Sequence, residues 1–217
     1  MTRQNHDVDA WLARALATMG TNSCSDYPVS GLTRSRPHPA VLPFTGTGND
    51  ASVATNLELL ADYFQIHVLD DDSEATEMGI GDVWTEQAVL DGLGVAEHAL
   101  AIGTAVNVTV DVTIDLLTGP PDDDSDDFDH VVEASLNLAS GRMVVLGCTD
   151  YGPDAARFTM PAGWIRVRTS RRNLEAAAFP DPDCEDEPED MEEIRIQAWP
   201  APRSLPNIIK RWTPPDA

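Results

Sequence analysis

Asp122, Asp124, Asp126 and Glu133 occupy positions 1, 3, 5 and 12 of a single window, the spacing at which an EF-hand loop ligates calcium. Position 6, where the sharp turn wants glycine, is Asp127, and Pro120 and Pro121 stand where the entering helix would end. The residue types suit calcium; the context does not. A looser cation site stays open, because acidic loops at one end of a β-sandwich can share an ion, and the runs around 70–77 and 122–129 could meet there. His6, His38, His67, His98 and His130 show no HxH, HxxxH or HExxH relation. His67 lies within an apolar strand pattern and His130 at a strand start, so both read as structural histidines. Cys24, Cys148 and Cys184 share no CxxC spacing, which indicates neither a disulfide framework nor a zinc knuckle. Cys148 sits in an apolar run and reads as an inert packed thiol, and Cys184 sits among carboxylates that raise a thiol's pKa. Ser140 lacks the GxSxG elbow, and Gly46-Thr47-Gly48 lacks the lysine of a phosphate loop. Asp150, before Gly152-Pro153, reads as a turn residue accepting backbone N–H groups. A hydrolytic site assembled from distant residues, such as Asp150 with His130, has no support in spacing. The expectation is a non-catalytic protein with no catalytic residue, no resident metal and no cofactor.

Charge is the chain's strongest feature. The formal net charge is −23 on 217 residues, and twenty of the thirty-seven carboxylates fall in three short runs. These are Asp70-Asp71-Asp72 with Glu74 and Glu77, then six aspartates in 122–129, then nine acids in 181–193. Such a field repels nucleic acid and anionic membrane surfaces and attracts a cationic protein. The contact is expected at Asp122, Asp123, Asp124, Asp126 and Asp127, and at Asp183, Glu185, Asp186 and Glu187, with Asp70-Asp71-Asp72 a weaker candidate. Arg166, Arg168, Arg171 and Arg172 form a basic cluster, and alternation puts Arg166 and Arg168 on one strand face, where they can pair with acids on neighbours.

These loops need a scaffold, and the pattern supplies strands. Val108-Thr-Val-Asp-Val-Thr-Ile-Asp-Leu116 alternates throughout, the mark of a strand with one dry and one wet face. Residues 57–69, 99–106, 129–138, 142–149, 157–160, 164–170 and 194–199 read as further strands. Ala139-Ser140-Gly141 and Pro161-Ala162-Gly163 read as hairpin connections. Helical spacing appears at 8–19 and at 84–93, the second with Thr85 as N-cap. Pro28, Pro37, Pro39 and Pro43 mark an irregular arm between. The expected architecture is an antiparallel β-sandwich of seven to eight strands with one short inserted helix and an N-terminal accessory helix. Residues 1–56 form the helix and arm, 57–203 the sandwich and 204–217 a C-terminal tail. Tyr63 and Trp84 are expected to pack in the core. No stretch approaches 18 apolar residues and no basic-then-apolar leader opens the chain, so a reducing, cytoplasmic compartment is expected.

Several of these segments resemble the ComJ family, bacterial competence proteins described as inhibitors of a DNA-entry nuclease. The carriers are Asp62-Tyr63-Phe64-Gln65, Asp70-Asp71-Asp72, Trp84-Thr85-Glu86-Gln87-Ala88 with Gly92, and residues 99–104 with Asn107. The N-terminal arm and two acidic insertions depart from that pattern. The resemblance implies a non-catalytic protein that neutralises a nuclease by covering it. Residue chemistry alone implies an acidic protein that attracts a cationic partner; taken with the resemblance, the expectation is a binding protein of the inhibitor or immunity type, engaging a basic nuclease or toxin. The alternative is a calcium- or small-ligand-binding β-sandwich module.

Overall fold

The computed structural model describes residues 54–71, 83–150, 152–179 and 191–213. Eleven strands and two five-residue helices follow in chain order. They are β1 (Thr55–Leu60), β2 (Gln65–Asp70), α1 (Glu86–Leu90), β3 (Leu93–Val95), β4 (Ala99–Gly103), β5 (Thr109–Leu116), β6 (His130–Leu138), β7 (Arg142–Gly147), β8 (Ala156–Thr159), β9 (Gly163–Arg172), α2 (Leu174–Ala178), β10 (Glu193–Pro200) and β11 (Asn207–Lys210). One sheet has six strands in the order β1-β5-β10-β9-β6-β11, the other five in the order β3-β4-β2-β7-β8. The protein is a β-sandwich, mainly β as its alternation predicts. All pairings are antiparallel except β5 with β10, which run parallel.

The alternating residues behave as their period requires. Val110, Val112 and Ile114 of β5 are buried against Ile66 and Val68 of β2, Leu100 and Ile102 of β4, and Ile194 and Ile196 of β10 in one core. The five-stranded sheet is dry on its second face too, where Leu69, Ala99, Val144, Leu146 and Ala155 form a smaller buried cluster. The helix expected over 84–93 is present but shorter, Glu86–Leu90, with Ala88 N–H donating to Thr85 Oγ1 at 3.1 Å, and Leu93 already opens β3. The accessory helix at 8–19 lies outside the described residues.

Both expected hairpins are corners between the sheets. β6 pairs with β9 and β11, whereas β7 pairs with β2 and β8. Gly141 does take a positive φ of 71°. The corner is held from afar, because the buried Asp70 carboxylate at the end of β2 receives Ser140 N–H at 3.0 Å as well as the Ser140 hydroxyl. Across Pro161-Ala162 the chain likewise leaves β8 for β9 in the opposite sheet. The strand expected over 57–69 is two strands in different sheets, separated by a turn at Asp62–Phe64. Tyr63 lies in that turn, half-buried and outside the core. Trp84 is also half-buried, its indole N–H donating to Gln65 Oε1 at 2.8 Å on the outer face of the five-stranded sheet. Residues 207–210 of the expected tail form β11 on the edge of the larger sheet.

Candidate partner-binding surface

Polar residues at every second position make the outer face of the six-stranded sheet a set of cross-strand rows. One row reads Glu58, Asp111, Glu193 and Arg172 from β1 to β9, another Asp115, Gln197, Arg168 and Glu133 from β5 to β6. Arg166 and Arg168 sit on one face as alternation requires, and both grip Glu133, at 3.1 and 2.8 Å.

The 122–128 loop is drawn onto this face by cations. Arg168 donates to Asp122 O at 3.0 Å, and Lys210 to Phe128 O at 2.5 Å. Arg195 binds Asp124 at 2.7 Å and lies 4.3 Å from the Phe128 ring centroid. Inside, Ser125–Asp127 makes one 3-10 turn, and Asp123 Oδ1 accepts Ser125 N–H at 3.1 Å; hydrogen bonding from the Ser125 side chain first, and from its backbone second, holds the Asp123 carboxyl below its ordinary pKa. Asp124 is therefore committed inward. Asp122, Asp123, Asp126 and Asp127 are exposed and form no salt bridge among the described residues. Burial raises the pKa of nearby Asp115, against the lowering effect of Arg195.

Asp183, Glu185, Asp186 and Glu187 lie outside the described residues. The roots of their segment are nonetheless fixed. Asp129, ending the second acidic run, accepts Leu174 N–H at 3.0 Å, and Asn173 Nδ2 donates to Met191 O at 3.0 Å. Glu192 is fully buried, bound to Arg171 at 2.7 Å and accepting Ala105 N–H at 2.6 Å. The second and third acidic runs thus spring from adjoining backbone. Of the first run, Asp70 is buried on Ser140, and Asp71 is paired with Arg142 at 2.9 Å and Arg157 at 3.1 Å. Asp70 and Asp71 thus serve the fold, and Asp72 lies outside the described residues.

The remaining sequence candidates resolve as structure. Trp212 N–H donates to His130 Nδ1 at 3.2 Å and His130 Nε2 faces Asp91 O at 2.9 Å, so the ring is neutral with its proton on Nε2. Burial, with the Arg171 charge beside it, lowers its pKa to about 3. His67, bonded to Gln65 Oε1 at 3.1 Å, is pushed by burial to about 4. Asp150 closes a turn by accepting Gly147 N–H at 2.7 Å. Cys148 is disulfide-bonded, which corrects its reading as an inert thiol and removes the cysteine argument for a reducing compartment. With Glu133 and Asp124 held by arginines, the EF-hand-like ligand set is dispersed, and no group of three or more metal-ligating side chains occurs among the described residues. No helix among them is long and apolar enough to cross a membrane.

Sequence reading missed the clamp formed by Arg195, Lys210 and Phe128. Arg195 alternates with buried Ile194 and Ile196, a signal that it lies on the wet face, but nothing local showed which loop would cover it.

No protein-family model matches the chain, and no curated protein matches it by sequence. Among solved structures it is similar to ComJ, inhibitor of the DNA degrading activity of NucA, from Bacillus subtilis. The TM-score is 0.51 at 15% identity, over 70% of this chain and 99% of that one. It also matches a structure described as crocagin biosynthetic gene J, with a TM-score of 0.46 at 19% identity over 69% and 98% of the two chains. The fold is ComJ-like.

Proposed function

We propose that the chain is a non-catalytic inhibitor that neutralises a basic nuclease or toxin by protein–protein contact. The observation that carries this reading is the 122–127 loop. It is fastened to a rigid sheet by Arg168, Arg195 and Lys210, yet turns the carboxylates of Asp122, Asp123, Asp126 and Asp127 to solvent. A fixed anionic array loses little freedom on docking and steers a cationic partner toward it. The ComJ-like fold supports an inhibitor-type role, since ComJ is an inhibitor of the DNA degrading activity of NucA. In this reading Asp183, Glu185, Asp186 and Glu187 extend the same surface, because their segment is rooted beside Asp129. Nuclease active clefts hold polyanionic DNA and are correspondingly basic, so the array competes for the same positive field.

The test is DNA degradation by NucA with and without the protein, with association rates measured at two salt concentrations. Replacing Asp122, Asp123, Asp126 and Asp127 by Asn is expected to slow association by about tenfold at low salt and to flatten its salt dependence. An unchanged rate and salt slope would remove the acidic-loop mechanism.

A further inference from the structure

We propose that the open edge of β1 is a second docking point, which takes up an extended, Lys- or Arg-bearing segment of the basic partner as an added strand of the six-stranded sheet. The proposal rests on the inhibitor reading and adds a backbone contact to it. β1 and β11 are the outer strands of this sheet, β3 and β8 those of the other. An exposed edge invites pairing with another chain, and folds blunt it with short strands, bulges, prolines or cations. β3 has three residues, and β11 has four with a register shift and Lys210. β8 has four, carries Arg157 and runs out at Pro161. β1 has none of these devices. Its six residues, Thr55–Leu60, pair with β5 in unbroken register and include no proline, glycine or cation.

The ladder decides which backbone groups this edge offers. Ala61 N–H donates to Val108 O at 2.9 Å, continuing the β1–β5 register by one pair. Backbone groups in an antiparallel pair alternate in direction, so Leu57 and Leu59 also face β5, whereas Asn56, Glu58 and Leu60 turn theirs away. The crossing of the two sheets takes up Leu60, whose carbonyl oxygen lies 2.3 Å from where a Gly147 Cβ would stand at the end of β7. Asn56 and Glu58 are left, each exposed and each with one N–H and one C=O toward the open side. None of these four groups has a backbone partner among the described residues. An extended segment laid along them gains main-chain hydrogen bonds at two successive ladder positions.

Charge selects the occupant. Glu58 stands directly opposite Asp111, which stands opposite Glu193. Among the described residues only Glu193 of the three has a cation, Arg172 at 2.5 Å. Like charges in direct cross-strand register are mutually destabilising, and opposite charges are favourable. A Lys or Arg placed beside Glu58 by the incoming strand relieves that row. A second copy pairing through the same edge would add further carboxylates to it, so charge disfavours self-association here.

The experiment reads amide hydrogen exchange residue by residue in the wild-type chain, with and without NucA as the probe. Exchange at Asn56 and Glu58 is expected to slow at least about tenfold in the complex, while Leu57 and Leu59, already bonded to β5, change far less. The Asn56→Pro variant removes one outward N–H and keeps every carboxylate, and proline is tolerated where an edge N–H faces solvent. Its dissociation from NucA should accelerate at least about tenfold, with association rate and salt slope at wild-type values. A matched melting temperature verifies its folding, and the wild-type exchange measurement decides alone if the proline perturbs it. Unprotected Asn56 and Glu58 amides in a formed complex would overturn the edge contact and leave the acidic-loop mechanism standing. Failure of wild type to bind would overturn both. Protection that grows with the concentration of the free chain would assign the edge to a second copy, and the proposal would fall.

Discussion

Arg171 and Glu192 form the most enclosed ion pair among the described residues, 2.7 Å apart with side chains 7% and 0% exposed. The pair joins β9 to the last turn of the third acidic segment, and the same carboxylate also takes Ala105 N–H from the β4–β5 connection. Removing one partner of a buried pair strands the other charge and costs about 3–5 kcal/mol. Glu192→Gln is therefore expected to lower the urea midpoint strongly. The Arg171→Met/Glu192→Met variant should recover most of that loss, since no charge is left unpaired. A Glu192→Gln loss below about 1 kcal/mol would contradict the assignment.

His67 and His130 set a pH dependence with a definite sign. Their folded pKa values, about 4 and about 3, lie below the ordinary 6.5, because burial disfavours the charged ring at both and the Arg171 charge adds to it at His130, against the raising effect of the hydrogen bond to Asp91 O. As pH falls below 6.5 the unfolded chain gains protons that the folded chain refuses, so stability present at neutral pH is lost. By pH 4 each histidine withdraws about 3 kcal/mol. Relief of carboxylate repulsion works in the opposite sense, so the readout is a difference. The His67→Asn/His130→Asn variant should lose less stability than wild type between pH 6.5 and 5. Parallel curves would refute the histidine origin.

Strand positions were legible because alternation is a local property, as in β5, and Thr85 announced α1 through its cap. Partner strands were not. A three-residue glycine connection such as Ala139-Ser140-Gly141 suits a hairpin and a corner alike. The choice was made by Asp70, seventy residues away, bonding Ser140 from the end of β2. The same residue shows why the site was only partly readable. Asp70 and Asp71 look equivalent to Asp122 and Asp123 in the chain, yet the first pair is consumed by Ser140, Arg142 and Arg157, while the second is exposed. Composition counted carboxylates, but pairing depends on contacts far apart in sequence.

Gly147 ends β7 against the sheet crossing. A Cβ built there would lie 2.3 Å from Leu60 O and 2.9 Å from Asp150 Oδ2. The first neighbour is backbone and cannot rotate away. Gly147→Ala is expected to destabilise by about 1–3 kcal/mol through forced displacement of the β7 end from β1. Gly152→Ala, where nothing lies within 4 Å, should stay within about 0.5 kcal/mol of wild type. Equal urea midpoints for the two variants would show that the crossing yields freely.

Arg195 separates the fixing of the acidic loop from its charge. Arg195→Met removes the Asp124 bridge and the Phe128 stacking but keeps every carboxylate, and the chain becomes more negative by one. Steering of a basic partner should then persist, with association as fast as in wild type or faster. The loop must instead be ordered during binding, so dissociation should accelerate by about tenfold. Asp115 loses the cation that opposes its burial, and its carboxyl pKa should move further up, measurable by NMR titration. A variant with slowed association and unaltered dissociation would show that loop fixation contributes nothing to capture.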